Sequence, residues 1–182
     1  MKNRNQSKEL IKLIEPNVKI GEFIERIMKR DGHSNIWLAD PERLNCDEKT
    51  IRELYKKENI DTEKLVKISL ILKYNFFIHY NEYVTQEVLI NNYCLCVKDV
   101  TDIDMSVVTK EIYIGKMIRQ QMNKNGVKLV FLSYNLHRTK TIASKICNRK
   151  SLDTYRLFNI SILLKLNFFL YYYEYVEKQL HD

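Results

Sequence analysis

The sequence IGEFI at residues 20–24 returns as IGKMI at residues 114–118, an offset of 94 residues. The same offset relates Gly32 to Gly126, so the correspondence extends well beyond one short match. A repeat at a constant offset indicates that one structural unit is present twice, because each copy must form the same local structure. The prediction of the fold therefore starts from this repeated unit.

The repeat continues toward the C-terminus with a small change of register. After residue 38 the offset falls to 92 residues, which relates Asp61 to Asp153 and NFFIHYNEYV at 75–84 to NFFLYYYEYV at 167–176. An insertion of two residues in the first copy, around positions 41–42, explains this change. The chain therefore contains a duplicated unit of about 65 residues.

Each copy is predicted to consist of about five short helices. In the first copy, apolar residues at helical spacing mark a first helix over residues 20–27, and Gly32 is expected to end it. Ser34 is a candidate N-cap for the second helix, Asp61 caps a fourth, and a fifth begins at Phe76. The same pattern in the second copy predicts an all-α fold whose apolar stripes form the core.

Composition excludes several classes of protein. Of the 182 residues, 45% are apolar and 29% are charged, with only four Gly and two Pro. This balance argues against a disordered chain, a collagen-like repeat and a loop-rich β-sandwich. No apolar run approaches the roughly 20 residues that span a bilayer, and the first residues lack the apolar segment of a signal peptide. We expect a cytoplasmic protein without a membrane partner.

Catalytic and metal-binding patterns are not evident. His33, His79, His137 and His181 neither pair with one another nor lie beside an acidic cluster at catalytic spacing. The closest cysteine pair, CLC at 94–96, lacks the spacing of a zinc site, and reduced thiols are expected. The sequence predicts no enzyme activity, no cofactor, no metal site and no small-molecule substrate.

An ordered set of motifs runs through the second copy, and the first copy has the same frame. The motifs are IGxxIR at 114–119, Gly126, KICNRKSLDT at 145–154 and NFF at 167–169, with WLA at 37–39 and LNC at 44–46 in the first copy. With a tight break between the second and third helices, this set resembles the Cro/phage-repressor (XRE-type) helix-turn-helix family, in a version common in Bacteroidetes. The two copies cover about 130 of the 182 residues.

The resemblance implies a tandem arrangement of two lambda-repressor-like helix-turn-helix domains. The predicted divisions are an N-terminal extension with a probable helix at 1–17, a first domain at 18–84, an acidic linker at 85–111 and a second domain at 112–182. It also implies a bacterial transcription regulator that binds double-stranded DNA in the cytoplasm, at the nucleoid. The aromatic C-terminal segment at 170–176 belongs either to the core of its own domain or to an interface, so a homodimer is a further candidate assembly.

In this family the third helix lies in the major groove, and residues near its N-terminus contact base edges. Residues around that helix contact phosphates and set the register. In the second copy the third helix is expected to start near Thr139, so the base-contacting candidates are Thr139, Lys140, Thr141 and Ser144, with Lys145 at the flank. The phosphate-contacting candidates are Lys124, Lys128, Arg138, Asn148, Arg149 and Lys150. Weaker candidates in the first copy are Lys49, Thr50, Arg52, Lys56 and Lys57.

The two copies differ in charge. Residues 19–80 hold twelve basic and eleven acidic residues, a balance of +1, whereas residues 113–172 hold eleven basic residues and one acidic residue, a balance of +10. Where the second copy has Thr139-Lys140, the first has Asp47-Glu48. Carboxylates at that place repel phosphates, although they are able to accept hydrogen bonds from cytosine amino groups. We therefore predict that the second copy is the main DNA-binding unit.

The insertion Pro41-Glu42 adds to this asymmetry. Proline inside a helix breaks or kinks it, which would disturb the docking angle of the third helix of the first copy. The first copy is therefore predicted to act as a scaffold or to bind a partner. Two alternatives remain for the whole chain: an adaptor in which helix-turn-helix units bind proteins, and a nucleic-acid binder without sequence preference.

Overall fold

The computed structural model of the protein describes residues 16–90 and 112–182. Within these two ranges the backbone forms ten helices, five in each range. They are α1 (Ile20–Arg30), α2 (Asn35–Ala39), α3 (Glu48–Tyr55), α4 (Thr62–Ile71), α5 (Phe77–Ile90), α6 (Ile114–Lys124), α7 (Leu129–Asn135), α8 (Lys140–Ile146), α9 (Thr154–Leu164) and α10 (Phe169–His181). No strand is present in these ranges, so the predicted all-α class is confirmed.

Two of the predicted segments fall largely outside the described residues. The N-terminal extension predicted at 1–17, with its probable helix, falls outside the described residues except for residues 16 and 17. The linker predicted at 85–111 falls outside them from residue 91 onward. The final helix of the first copy, α5, runs past the predicted boundary at residue 84 and ends at Ile90. No helix in the described ranges is long and apolar enough to cross a membrane.

The helix starts follow the local sequence. Side chains of N-cap residues accept hydrogen bonds from backbone N–H groups that have no partner inside the helix. Ser34 accepts from the backbone N–H of Trp37 at the start of α2, as predicted. The predicted cap of α4 by Asp61 is likewise confirmed, and Asp153 has the same role at α9.

Left-handed backbone positions recur in pairs at the offsets of the repeat. Such positions end a helix or turn the chain sharply, and they favour Gly or, less often, Asn. The pairs and their φ angles are Gly32 (69°) with Gly126 (64°), Asn45 (50°) with His137 (50°), and Lys73 (48°) with Lys165 (53°). The two copies therefore share turns as well as helices, which supports duplication at the level of the backbone.

The insertion in the first copy shortens its second helix. α2 has five residues and ends at Ala39, before Pro41, whereas α7 has seven residues. The connection to the third helix spans residues 40–47 in the first copy but only 136–139 in the second. Proline thus lies after the helix rather than inside it, and the predicted break is accommodated by a longer loop.

A stack of three side chains holds this longer loop against the helices. His33 lies on one face of the Trp37 ring, with ring centroids 3.6 Å apart. The guanidinium of Arg43, which belongs to the loop, lies 4.1 Å from the centre of the same ring and donates a hydrogen bond of 3.1 Å to the carbonyl of Trp37. Arg–aromatic contact of this kind stabilises the inserted loop without altering the start of α3.

Close backbone contact fixes the first helix of each copy against the end of the third. A Cβ atom on Gly115 would lie 2.6 Å from the carbonyl oxygen of Ile146, and one on Gly21 would collide with the carbonyl of Tyr55. The N–H of Gly115 donates to the carbonyl of Arg149 at 3.0 Å, just beyond α8. Glycine is required at both positions because any side chain would separate these helices.

The two copies contact each other through equivalent residues. The N–H of Thr62 donates to the carbonyl of Leu152 at 2.8 Å, and the N–H of Thr154 donates to the carbonyl of Ile60 at 2.9 Å. Since Thr154 and Leu152 are the repeats of Thr62 and Ile60, each contact has a counterpart in which the copies exchange roles. This reciprocity is the signature of an isologous, two-fold interface, here formed inside one chain.

Buried hydroxyl groups also pair reciprocally between the two copies. The hydroxyls of Tyr80 and Thr154 lie 3.0 Å apart, and those of Tyr172 and Thr62 lie 2.9 Å apart. Each threonine therefore satisfies the phenol of the opposite copy. Burial raises the pKa of both tyrosines well above their ordinary value. These phenols remain protonated and keep both hydrogen bonds at neutral pH.

Aromatic rings complete the contact between the copies. Phe77 stacks on Tyr172 with centroids 4.9 Å apart, and Tyr80 stacks on Phe169 with centroids 4.6 Å apart. All four side chains are almost completely buried, in a core that includes residues of both copies. The aromatic segment at 170–176 therefore contributes to an interface, and its partner is the first copy of the same chain.

Candidate nucleic-acid interface

The helix that the sequence assigned to base contact is α8. It begins at Lys140, and the side chain of Thr139 caps it by accepting from the N–H of Ile142 at 3.3 Å. The predicted start of this helix near Thr139 is confirmed. Ala143 and Ile146 are buried and anchor α8 to the core, so the opposite side of the helix faces outward.

All five base-contacting candidates have solvent access. Thr139, Lys140, Thr141 and Lys145 are exposed, and Ser144 is half-buried. α8 is only seven residues long, and the close contact between Gly115 of α6 and the carbonyl of Ile146 holds its end in place. The positions of the candidate side chains therefore depend on this contact. Their contact with DNA stays a prediction.

The phosphate-contacting candidates divide into three groups. Arg138 is exposed in the turn before α8, and Asn148 and Arg149 are exposed after it, so these residues lie at opposite ends of a helix about 10 Å long. Lys124 and Lys128 are exposed at the end of α6 and the start of α7. Lys150 forms the third group by itself, away from both of these.

Lys150 lies at the contact between the copies. Its side chain is 40% exposed, and its Nζ is 3.5 Å from a carboxylate oxygen of Glu63 in the first copy. The neighbouring hydroxyl of Ser151 donates to Asp61 at 2.8 Å. Lys150 is therefore engaged in joining the copies, unlike the exposed cations near α8.

The candidates of the first copy lie in a different electrostatic setting. Lys49, Lys56 and Lys57 are exposed, but Arg52 pairs with Glu48 at 2.6 Å along α3. Thr50 is half-buried and donates hydrogen bonds to Asp47 through its backbone N–H, at 2.6 Å, and its hydroxyl. These bonds hold the pKa of the Asp47 carboxyl below its usual value, so it is ionised at neutral pH.

Further ion pairs neutralise other cations of the first copy. Lys19 pairs with Glu22 at 3.1 Å, and Lys29 pairs with Glu25 at 2.7 Å, both along or beside α1. In the described part of the chain, Lys49, Lys56 and Lys57 of the first copy have no carboxylate within 4.0 Å, and the same is true of six exposed candidates of the second copy. They are Lys124, Lys128, Arg138, Lys140, Lys145 and Arg149.

Three positions exchange the sign of their charge between the copies. Glu22, Glu25 and Glu48 line a groove of about 780 Å³ between α1, α2 and α3 of the first copy. The equivalent residues of the second copy are Lys116, Arg119 and Lys140, all exposed. The same backbone surface is therefore internally neutralised in one copy and strongly cationic in the other.

Sequence reasoning missed three residues of this surface. Lys116 and Arg119 on α6 are identifiable by aligning the copies and comparing charges position by position. Ile142 on α8 is 40% exposed, and an isolated apolar residue in an amphipathic segment gives no sequence signal of exposure. Its orientation follows from the packing of Ala143 and Ile146.

Three of the four histidines lie beside aromatic or acidic side chains. His33 stacks on Trp37, and His79 lies between Phe23, at 3.8 Å, and Tyr74, at 5.9 Å, measured between ring centroids. Burial lowers the pKa of His79. His181 pairs with Glu177 at 3.4 Å near the end of α10. Within the described ranges, no group of three or more acidic, histidine or cysteine side chains is arranged to hold a metal ion.

No protein-family model matches the chain, and neither a curated protein nor a solved structure matches it. The resemblance to the Cro/phage-repressor family therefore rests on the motifs of the two copies alone.

Proposed function

We propose that this protein is a DNA-binding transcription regulator whose second copy contacts double-stranded DNA through α7 and α8. In this proposal the two helices act as the helix-turn-helix, with α8 in the major groove. The exposed candidates from Thr139 to Lys145 contact base edges, and the cations around α8 contact phosphates. The protein then acts in the cytoplasm, at the nucleoid.

The supporting observation is the exchange of charge at equivalent positions of the two copies, where Glu22, Glu25 and Glu48 of the first copy correspond to the exposed Lys116, Arg119 and Lys140 of the second. A cation already paired with a carboxylate releases few counterions when it meets a phosphate, whereas an unpaired cation releases them fully. In the part of the chain that the structure describes, Lys140 and Arg149 have no carboxylate within 4.0 Å, whereas Glu48, the equivalent of Lys140 in the first copy, pairs with Arg52. Lys140 also opposes the dipole of its own helix, so helix stability does not account for its position.

The first copy has the role of a built-in partner in this proposal. Its α4 and α5 contact α9 and α10 through reciprocal bonds such as that between Tyr80 and Thr154. Repressors of the helix-turn-helix class commonly bind as dimers in which both subunits contact DNA, whereas in this internal pair we assign DNA contact to the second copy and support to the first. The chain is then expected to bind DNA as a monomer.

The test is selection from a random duplex pool with the full chain, followed by binding measurements across salt concentrations. Lys140→Ala with Arg149→Ala is expected to weaken binding and to lower the salt slope by about two, because each removed cation neutralises one phosphate. Asp47→Ala with Glu48→Ala is the matched pair in the first copy and is expected not to weaken binding. Equal losses from both pairs contradict the asymmetry, and the absence of any enriched duplex contradicts the function.

A second candidate function for the first copy is protein binding. Ile36 on α2 is 69% exposed and, with Tyr55 and Met28, lines the groove that also contains the three glutamates. Apolar and carboxylate side chains in one groove suit a protein segment better than a phosphate, because carboxylates repel phosphates. Loss of a partner on Ile36→Arg, with DNA binding unchanged, would support this role.

A further inference from the structure

An apolar side chain lies among the polar candidates of α8. Ile142 is 40% exposed, whereas its neighbours Ala143 and Ile146 are almost completely buried. β-Branched residues lose side-chain freedom in a helix, so neither helix propensity nor core packing accounts for isoleucine at this exposed position.

The exposed apolar side chains are concentrated rather than scattered. Of the five large ones in the described residues, three lie on α7 and α8, namely Val130, Tyr134 and Ile142. Single exposed apolar residues are ordinary on a protein surface, but a concentration on one helix pair indicates a contact surface. Val130 has an exposed equivalent in Ile36 of the first copy, but the position of Ile142 is occupied there by Thr50, so the exposed isoleucine on the third helix belongs to the cationic copy alone.

The helix geometry places Ile142 between two base-contacting candidates. Residues three apart on a helix surface are neighbours, and the N–H of Ile142 already donates to the side chain of Thr139. Lys145 lies three residues further along and is exposed. A groove contacted by Thr139 and Lys145 therefore also meets the aliphatic side chain between them.

We infer that Ile142 is a specificity-determining residue that contacts the 5-methyl group of a thymine in the major groove. Among the four bases, only thymine presents a methyl group there, and apolar side chains recognise it by contact. This inference rests on the proposed function, because it requires α8 to lie in the major groove. It adds the chemical class of one base in the target: a thymine within reach of α8.

The test removes the thymine methyl group from the DNA and, separately, most of the Ile142 side chain from the protein. In the duplex selected by the full chain, each thymine is replaced in turn by deoxyuridine, which lacks only that methyl group. At one position the replacement is expected to weaken binding of the wild type about fourfold, the effect of one methyl group left unburied. Ile142→Ala is expected to bind the thymine duplex about as weakly, with no further loss on deoxyuridine.

Ile36→Ala is the matched control, because Ile36 is an exposed isoleucine on the first copy. It is expected to keep the wild-type response to deoxyuridine, and both variants are expected to keep the wild-type melting temperature. Equal sensitivity of the wild type and Ile142→Ala to deoxyuridine at every thymine overturns the inference and leaves the proposed function intact. Failure to enrich any duplex overturns the proposed function instead.

Discussion

The start of α3 and the start of α8 have the same backbone and opposite charges. Asp47 caps α3 and is followed by Glu48, whereas Thr139 caps α8 and is followed by Lys140. Both caps accept a hydrogen bond from the N–H three residues later, at 2.6 Å and 3.3 Å. The acidic start agrees with the helix dipole and the basic start opposes it. Helix stability therefore accounts for the residues of α3 but not for those of α8.

At the contact between the copies, by contrast, equivalent positions carry the same residue types. Thr62 and Thr154 are the same residue type, as are Phe77 and Phe169, and Tyr80 and Tyr172. Each takes part in a bond or ring stack that its counterpart repeats. The buried centre of the contact is thus alike in both copies, whereas the outward-facing surfaces differ, and the ion pair Lys150–Glu63 at the edge of the contact has no counterpart. This division separates residues that hold the fold from the surface residues to which we assign partner binding in our proposal.

The largest effect is expected from breaking the shared core. Phe77→Ala and Phe169→Ala each remove a fully buried ring that stacks on a tyrosine of the opposite copy. Each is expected to lower the free energy of unfolding by about 3–5 kcal/mol, the usual cost of such a truncation. Urea unfolding measures both values. A large difference between the two variants contradicts the equivalence of the two halves of the interface.

A smaller but more specific effect is expected from exchanging the two helix starts. Thr139→Asp with Lys140→Glu gives α8 the residues of α3, and reduces duplex affinity on the order of 100-fold at low salt because the charge changes by three units. The reverse exchange, Asp47→Thr with Glu48→Lys, is expected to strengthen binding. Fluorescence anisotropy with a labelled duplex measures both. Unchanged affinity in the first variant would show that α8 does not approach the phosphates.

The buried phenols give a pH-dependent comparison. Burial raises the pKa of Tyr80 and Tyr172 in the folded chain, so unfolding at high pH releases protons. Stability is then fully present below the unfolded value of about 10 and decreases as pH rises above it. Tyr80→Phe and Tyr172→Phe each cost about 1 kcal/mol at neutral pH through the lost hydrogen bond.

Tyr80→Phe and Tyr172→Phe are also expected to reduce the loss of stability above pH 10. The melting temperatures at pH 8 and pH 10.5 measure this loss. The half-buried Tyr55, whose pKa burial raises to about 12, contributes to the remaining loss. Tyr55→Phe is therefore a control outside the contact between the copies. If the two variants lose as much stability at high pH as the wild type, neither phenol is the source of the pH dependence.

The smallest effect is expected from the caps themselves. Asp47→Ala and Thr139→Ala each remove a side chain that accepts from the first turn of its helix, and each is expected to lower the melting temperature by about 2–4 °C. Only Thr139→Ala is expected to weaken duplex binding as well. If DNA binding depended on helix stability alone, the two variants would weaken it in proportion to their melting temperatures.

The sequence predicted part of the exposed surface around α8. The start of α8 and its candidates were predicted from the repeat and the family resemblance, and the cap at Thr139 agrees with that start because capping is a local property. The sequence did not anticipate that Lys150 pairs with Glu63 across the copies, nor that Ile142 faces outward. Both depend on which helix face meets another element.

By itself the sequence determined the duplication, the all-α class, the end of the first helix near Gly32 and the start of the fourth helix at Asp61. These features come from interactions within a few residues, and an internal repeat makes each of them visible twice. Only the tertiary structure decided that the copies pair through Tyr80 and Tyr172, which leaves the surface of α8 outward. Such a contact joins residues far apart in the chain, and its geometry follows from the packing of whole helices rather than from any local pattern.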